Sequence, residues 1–158
     1  MLKINFMRYA SIKNKFLAFS LLATLVACKV TFLSAYDEVT DKVLSDMQQS
    51  TTAFFVKSES DPTSTDVSYA NSKNFYEDLK TKSRTLRIRN NAIEKNKPMI
   101  EMLDLLDQNI GQMETLHKQK TNGLLSMSDI TLLKSAFEQQ YTAMFKFIMA
   151  LKARAKSN

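Results

Sequence analysis

Glu114 and His117 have the spacing that comes nearest to a metal-binding motif in this sequence. On a helix, residues three positions apart lie on one face, and Glu-x-x-His pairs of this kind supply ligands in di-iron helical bundles. A catalytic metal site needs further ligands from facing helices, and the sequence contains a single histidine. We therefore interpret His117 as a helix-end residue near solvent, and we expect no metal and no other cofactor.

Met99 and Met102 have the Met-x-x-Met spacing of periplasmic copper handlers, in which the thioether sulfur is a good ligand for Cu(I). Both residues also lie on an otherwise apolar helical stripe, where methionine fills irregular gaps in a core. We favour a place in the core for both.

The carboxylates of Asp104 and Asp107 form the clearest acidic pair, and their place near the start of a predicted helix fits the helix dipole and solvation. The single histidine has no evident nucleophile beside it, and the sequence has no glycine-rich phosphate loop. The sequence therefore predicts a protein that is not an enzyme.

A run of basic residues follows one face of the second predicted helix. Such a face contacts lipid phosphates, lipopolysaccharide or an acidic protein, or it is a solvated face with salt bridges to neighbouring helices. We favour the second interpretation and keep Arg84 and Arg87 as candidate contacts with a partner. The basic residues are Lys73, Lys80, Arg84 and Arg87, with Lys82 and Arg89 beside them, and the acidic residues available to them are Asp46, Glu101, Asp104 and Glu114.

Residues 143–151 are apolar almost all round, interrupted only by Lys146. A surface helix needs one apolar stripe, and Phe145 and Phe147 point to opposite sides of the helix. The surplus aromatic surface is either buried in the bundle or binds a partner or the bilayer. Both interpretations stay open, and Phe145 and Phe147 are the best candidate anchors for a partner.

The sole cysteine, Cys28, follows a basic leader and the mostly apolar residues from Phe16 to Ala27. The first acidic residue of the chain is Asp37. This is the layout of an export signal. The basic residues before the apolar run are Lys3, Arg8, Lys13 and Lys15.

The stretch Leu25-Val26-Ala27-Cys28 resembles the lipobox of bacterial lipoproteins, in which an aliphatic, a tolerant and a small residue precede the cysteine. The resemblance implies that the Cys28 thiol receives a diacylglyceryl group and that the signal is cut off before it. It also implies a lipid-anchored protein that faces the periplasm, and Lys29 in place of aspartate favours the outer membrane of a Gram-negative cell. The chain then divides into a signal at 1–27, a tether at 28–36 and a helical body at 37–158.

A retained signal anchor is the alternative, because apolar residues resume beyond Lys29 and a span from Phe16 to Tyr36 is long enough to cross a bilayer. Lys29 would then lie within the membrane, which is costly unless its side chain reaches the surface. Ordinary signal-peptidase cleavage is disfavoured, since Leu25 and Leu33 occupy the −3 positions of the candidate sites.

The formal net charge of +6 owes four of its positive charges to the leader. From Cys28 onward the chain has 18 basic and 16 acidic side chains, far from the concentrated basic surface that nucleic acid requires. One cysteine allows no internal disulfide, and the 131 residues from Cys28 onward match one domain with a single core. We expect no nucleic-acid partner.

Apolar residues recur at helical spacing in four segments, and no alternating β-branched run predicts a strand. The first helix is predicted to begin at Asp37 and to end before a loop at 58–68, which contains Pro62. The second is predicted to begin near Asp66 or Ser68, either of which can cap it. The first stripe is Val39, Val43, Met47 and Phe54, with Phe55 beside it; the second is Tyr69, Tyr76, Leu79, Leu86 and Ile93, with Ser83 and Asn90 at intervening positions and Phe75 alongside.

Pro98 is predicted to open the third helix, where its missing N–H costs nothing, and Asn122-Gly123 to provide a left-handed end. Ser126 and Asp129 have the pattern of a capping box for the fourth. Four amphipathic helices with short loops predict an all-α, antiparallel up-down bundle. The third stripe is Met99, Met102, Leu103, Leu106, Ile110, Met113 and Leu116; the fourth is Ile130, Leu133, Phe137, Tyr141, Met144, Ile148 and Leu151.

The stretch from Ala35 to Lys42 resembles small helical lipoproteins of proteobacteria, a likeness that implies a bundle but no activity. We therefore expect a non-enzymatic, membrane-tethered bundle that binds or scaffolds another component of the cell envelope. A carrier of a small apolar ligand or lipid is the alternative function. A filled core with an exposed patch would favour scaffolding, and a hollow core would favour the carrier.

Overall fold

Four helices form an antiparallel up-down bundle in the computed structural model, which describes residues 33–157. Each helix packs against the next one in the chain, and the fourth closes the ring by packing against the first. The predicted all-α bundle is confirmed, and no strand occurs between residues 33 and 157. Helix α1 spans Glu38–Ser60, α2 spans Lys73–Asn91, α3 spans Lys97–Gln119 and α4 spans Met127–Lys156.

The two ends of the bundle carry different segments. At the proximal end, residues 33–37 lead into α1, the turn at 92–96 joins α2 to α3, and α4 ends. The distal end contains the loops at 61–72 and 120–126. Because the loops alternate between the two ends, neighbouring helices run in opposite directions.

The core is filled by the apolar stripes of all four helices. Phe137 is 1% exposed, whereas Leu133 and Met102 are only partly buried at the edge of the core. Each fully buried large side chain contributes about 1.5–3 kcal/mol to folding by leaving water. Completely buried apolar residues are Leu44, Met47, Tyr76, Leu79, Leu103, Leu106, Met113 and Met144.

Asp37 caps α1 and links it to α2. Its carboxylate accepts hydrogen bonds from the backbone N–H of Thr40 (3.0 Å) and from the guanidinium of Arg89 (2.6 Å). Thr40 is the buried residue of this turn, and its hydroxyl oxygen accepts a hydrogen bond from the side chain of Asn90 (3.0 Å). The predicted place of Val39 in the core stripe is wrong, since Val39 is 46% exposed.

Helix α1 continues to Ser60, so the prediction of a loop from residue 58 is wrong at its start. The Ser58 hydroxyl donates to the carbonyl of Phe54 (2.9 Å), and the Ser60 hydroxyl donates to the carbonyl of Val56 (2.8 Å). Serines that bond to the carbonyl four residues earlier satisfy their hydroxyls within helical geometry.

Helix α2 begins at Lys73, and the predicted starts at Asp66 and Ser68 are wrong. Residues Thr65–Val67 form a single 3₁₀ turn, and the N–H of Tyr69 donates to the carbonyl of Gly123 in the other distal loop (2.7 Å). This bond holds Tyr69 against the neighbouring loop, and the backbone turns at 68–72 before the helix begins. Tyr69 therefore precedes α2, just as Ile93 follows its end.

The predicted signals at the starts of α3 and α4 are confirmed, whereas the predicted left-handed cap of α3 is wrong, because α3 ends at Gln119 and its C-cap, Lys120, is extended. Pro98 lies in the first turn of α3. Asn122 and Gly123 have φ angles of 57° and 62°, the left-handed conformation, in a 3₁₀ turn that follows α3. Ser126 and Asp129 form a capping box at α4, in which each side chain bonds to the backbone of the other residue.

The predicted signal at 1–27, with its lipobox and Cys28, lies outside the described residues. At the end of the predicted tether, Tyr36 donates to the carboxylate of Asp41 (2.7 Å), and Arg154 of α4 donates to the carbonyl of Leu33 (3.0 Å). Within residues 33–157, no helix combines the length and apolar character needed to cross a bilayer.

Candidate functional site

Helices α1 and α4 are joined by polar contacts at three heights. The middle contact, between the hydroxyls of Thr51 and Tyr141, is buried, and burial raises the pKa of Tyr141 to about 12, an effect that the bond to Thr51 opposes. The phenol is therefore neutral at physiological pH. From the distal to the proximal end, the contacts are Lys134–Glu59 (2.9 Å), Thr51–Tyr141 (3.1 Å) and Lys152–Asp41 (3.6 Å).

A groove of about 480 Å³ lies on the surface along the seam between α1 and α4. Its apolar floor includes Phe55 and Phe137, whose ring centroids are 5.9 Å apart, together with Tyr141. Polar side chains such as Thr52 and Thr142 form its rims. A concave surface with an apolar floor and polar rims is a candidate binding site.

Phe145 and Phe147, the two predicted anchors, lie in different places. Both rings pack against the core, but Phe145 also lines the groove, whereas Phe147 is not part of the groove lining. Two residues apart on a helix means about 200° of rotation, so the rings leave α4 in opposite directions. Both rings are half-buried. The groove wall on α1 adds Val56, which is 53% exposed.

The adjacent pair Phe54-Phe55 was a sequence signal for this groove that our prediction did not use. Neighbouring aromatic residues in a helix cannot face one direction. Phe54 stacks on Phe75 of α2 with centroids 4.6 Å apart, and Phe55 packs against Phe137 of α4. Helix α1 therefore packs on two sides, and its second aromatic ring belongs to the groove floor.

Three of the six basic residues on this face of α2 form salt bridges with other elements, and a fourth, Lys82, pairs within its own helix. Arg87 binds Asp104 and Asp107 of α3, and the two carboxylates raise its pKa. The prediction that the helix dipole and solvation explain this acidic pair is therefore corrected, because both residues face α2. Arg84 is exposed and has no ion pair among the described residues. The other pairs of this face are Lys80–Glu114, Lys82–Asp78 and Arg89–Asp37.

His117 is completely buried, so its predicted place near solvent is wrong. Its Nδ1 atom lies 2.8 Å from the Tyr76 hydroxyl, and Nε2 is buried without a hydrogen bond of good geometry. Burial lowers the pKa of His117, although the nearby carbonyls of Gly123 and Val67 favour the protonated ring. The distal loops cover this side chain, and this cover is the reason that His117 does not face solvent at the end of its helix.

The metal motifs of the sequence are not assembled into ligand sets. Glu114 turns to Lys80 of α2, away from the pairing with His117 that a metal would need. Met99 is 2% exposed and Met102 is partly buried, and both contact the hydrophobic core. Within the part of the chain that the structure describes, no three His, Cys, Asp or Glu side chains are grouped to hold a metal ion.

The groove between α1 and α4 is thus a candidate binding surface of residues 33–157. Its charged groups lie at the distal end, where Lys134 is paired with Glu59 and Glu138 lies beside them.

No protein-family model, no curated protein and no solved structure matches this chain.

Proposed function

We propose that this protein is a membrane-tethered lipoprotein of the bacterial envelope, without enzymatic activity, that binds an amphipathic helix of another envelope protein. The groove between α1 and α4 is the observation that carries the proposal. The lipobox at residues 25–28 supports the tether, and Lys29 supports a place on the periplasmic side of the outer membrane.

The shape of the groove favours a helix as its occupant. From Lys134 to Phe145 it follows α4 for about 16 Å, or about three helical turns. A helix that lies along this length presents apolar side chains at positions i, i+3 or i+4 and i+7 to an apolar floor. Above the buried rings of Phe55 and Phe137, the partly exposed side chains of Val56 and Phe145 offer apolar contacts to such anchors.

The charge at the rim specifies the occupant further. Lys134 is paired with Glu59, while Glu138 has no ion pair within residues 33–157. A basic residue beside the apolar stripe of the partner helix would complement the Glu138 carboxylate. Because this contact lies at the rim, it would affect association rate and specificity more than affinity.

Site-specific photo-crosslinking in the cell envelope tests this function. A photoreactive residue at Thr52 or Thr142, on the groove rims, should crosslink to one protein, and the crosslinked peptide should be an amphipathic helix with contacts three or four residues apart. The same residue at Thr85, an exposed position on α2, should not crosslink to that protein.

Matched substitutions separate binding from stability. Val56→Asp and Phe145→Ser should reduce the crosslink by about tenfold or more, since they remove groove contacts. Leu132→Asp, at an apolar residue of α4 that is 71% exposed and does not line the groove, is the control and should leave it unchanged. Adducts with lipid or a small molecule would instead indicate a carrier, and equal crosslinking in all variants would exclude the groove.

A further inference from the structure

Charge is distributed unevenly between the two ends of the bundle. The proximal segments, residues 33–42, 89–98 and 150–157, contain seven basic and four acidic side chains. The distal segments, residues 57–73 and 114–130, contain four basic and five acidic side chains. The body is therefore electrically polar along its length, although its net charge is small.

Several proximal cations are available to a partner. Lys95 and Lys156 are exposed and have no ion pair in the described part of the chain. Lys97 is 86% exposed. Its ion pair with Glu101, at 3.6 Å, is also exposed to solvent. Arg154 binds backbone carbonyls, which leave its charge uncompensated by an acidic group.

The helix dipole explains only part of this pattern. Basic residues at the end of α4 complement the negative end of its dipole. Lys95 and Lys97, however, lie just before and at the start of α3, where the dipole favours acidic residues, and the first turn of α3 contains none. The dipole of α3 therefore gives no reason for these two lysines, and within residues 33–157 the one ion pair between them and an acidic group is the exposed pair of Lys97 with Glu101.

The chain enters the body at this same end. Leu33, where residues 1–32 join the described part, is 38% exposed and is held by Arg154. We propose that the proximal end is a second interaction surface, which binds the anionic headgroups of the membrane that holds the protein. This inference rests on the membrane tether of the proposed function, which brings this end to the bilayer.

Single tryptophan probes test the orientation, because the chain contains no natural tryptophan. Ala155→Trp is proximal and Ala70→Trp is distal, and both replace an exposed alanine. The lipidated full-length variants are placed on vesicles of phosphatidylcholine, with or without phosphatidylglycerol, that contain a lipid with a nitroxide on its headgroup. Fluorescence of the proximal probe should be quenched more when phosphatidylglycerol is present, while the distal probe should stay bright on both vesicles.

Charge reversal supplies the matched control. Each basic side chain near an anionic bilayer favours the bound state by about fivefold, so Lys95→Glu, Lys97→Glu and Lys156→Glu together, which also add three repelled carboxylates, should weaken headgroup binding by about a hundredfold or more. The same change of net charge at Lys57, Lys73 and Lys118, in the distal half, should leave quenching of the proximal probe in place. Equal quenching on both kinds of vesicle, or no response to proximal reversal, would overturn the inference.

Salt distinguishes this surface from the tether. At 1 M salt the screening length is about 3 Å, so quenching of the proximal probe should be lost while a lipid-anchored protein still sediments with the vesicles. A protein that leaves the vesicles at high salt lacks the tether. In that case, phosphatidylglycerol-dependent quenching of the proximal probe at low salt still tests the proximal surface.

Discussion

The Tyr76 hydroxyl and the Nδ1 atom of His117 lie 2.8 Å apart at the distal end of the seam between α2 and α3, and both side chains are completely buried. The rings of Phe54 and Tyr69 pack edge-on to the imidazole, each with its centroid 5.9 Å away. The bundle therefore encloses its single histidine, a group that titrates near neutral pH, within an aromatic cluster.

Stability should decrease as the pH falls below about 6.5. Burial lowers the pKa of His117 in the folded chain below its ordinary value of 6.5, so the unfolded chain binds the proton first. The free energy of unfolding therefore decreases as the pH falls below about 6.5, and this decrease ends once the pH is below the folded-state pKa of His117. Urea denaturation at a series of pH values measures it.

His117→Gln should remove most of this pH dependence between pH 5 and 7, whatever it costs in stability. Tyr76→Phe should keep the dependence, because the imidazole remains buried. An unchanged pH slope in His117→Gln would show that another group is responsible.

The carboxylate of Asp37 should stabilise the fold above about pH 4 and cease to do so as the pH approaches 2. Arg89, helped by Thr40, holds the pKa of Asp37 at about 2, below its ordinary 3.8, so protonation removes a favourable contact only in strong acid. Arg89→Gln should raise the pKa of Asp37 towards 3.8 in an NMR titration. Glu38→Gln, at the exposed neighbour, should leave it unchanged, and a low pKa in Arg89→Gln would contradict the assignment.

The free-energy cost of truncating a side chain should increase with its burial. Phe137→Ala, at a residue only 1% exposed, should cost about 3–5 kcal/mol in a denaturant melt. Leu133→Ala should cost less, because its side chain is already partly exposed. Lys73→Ala should change stability by about 0.5 kcal/mol or less. A larger effect at Lys73 than at Phe137 would refute the packing of α4.

The two glycines should respond oppositely to alanine. Gly123 has a φ of 62°, and a Cβ there would lie 3.0 Å from the Cβ of Tyr69, so Gly123→Ala should destabilise by about 1 kcal/mol or more. Gly111 lies inside α3 with open space around its Cα, so Gly111→Ala should stabilise by about 0.5–1 kcal/mol. Thermal melts of both variants check this, and a stabilising Gly123→Ala would mean that the distal loops are not held together as described.

Cys28→Ser should leave an unprocessed precursor and abolish acyl labelling, because the acceptor thiol is removed. Metabolic labelling with a fatty acid and the size of the protein on a gel measure both effects. Labelling that persists in the variant, or a mature protein that begins at another residue, would exclude the lipoprotein proposal.

The sequence by itself determined the features that depend on neighbours along the chain. Helical periodicity identified four helices and most of their buried residues, as in α4 from Ile130 to Leu151. The Ser126–Asp129 capping box and the left-handed Asn122-Gly123 pair were also readable, because these motifs involve residues only one to three positions apart.

Only the tertiary structure decided which helix faces are neighbours, and the candidate site depends on that. Thr51 and Tyr141 are 90 positions apart, and Tyr76 and His117 are 41 apart. No local pattern could reveal that the first pair lines a groove or that the second is covered by two loops. The hydrogen bond from the N–H of Tyr69 to the carbonyl of Gly123 is likewise a contact between two loops, and α2 begins only after it. Burial is a property of the assembled ring of helices, whereas periodicity reports only which residues share one face of a single helix.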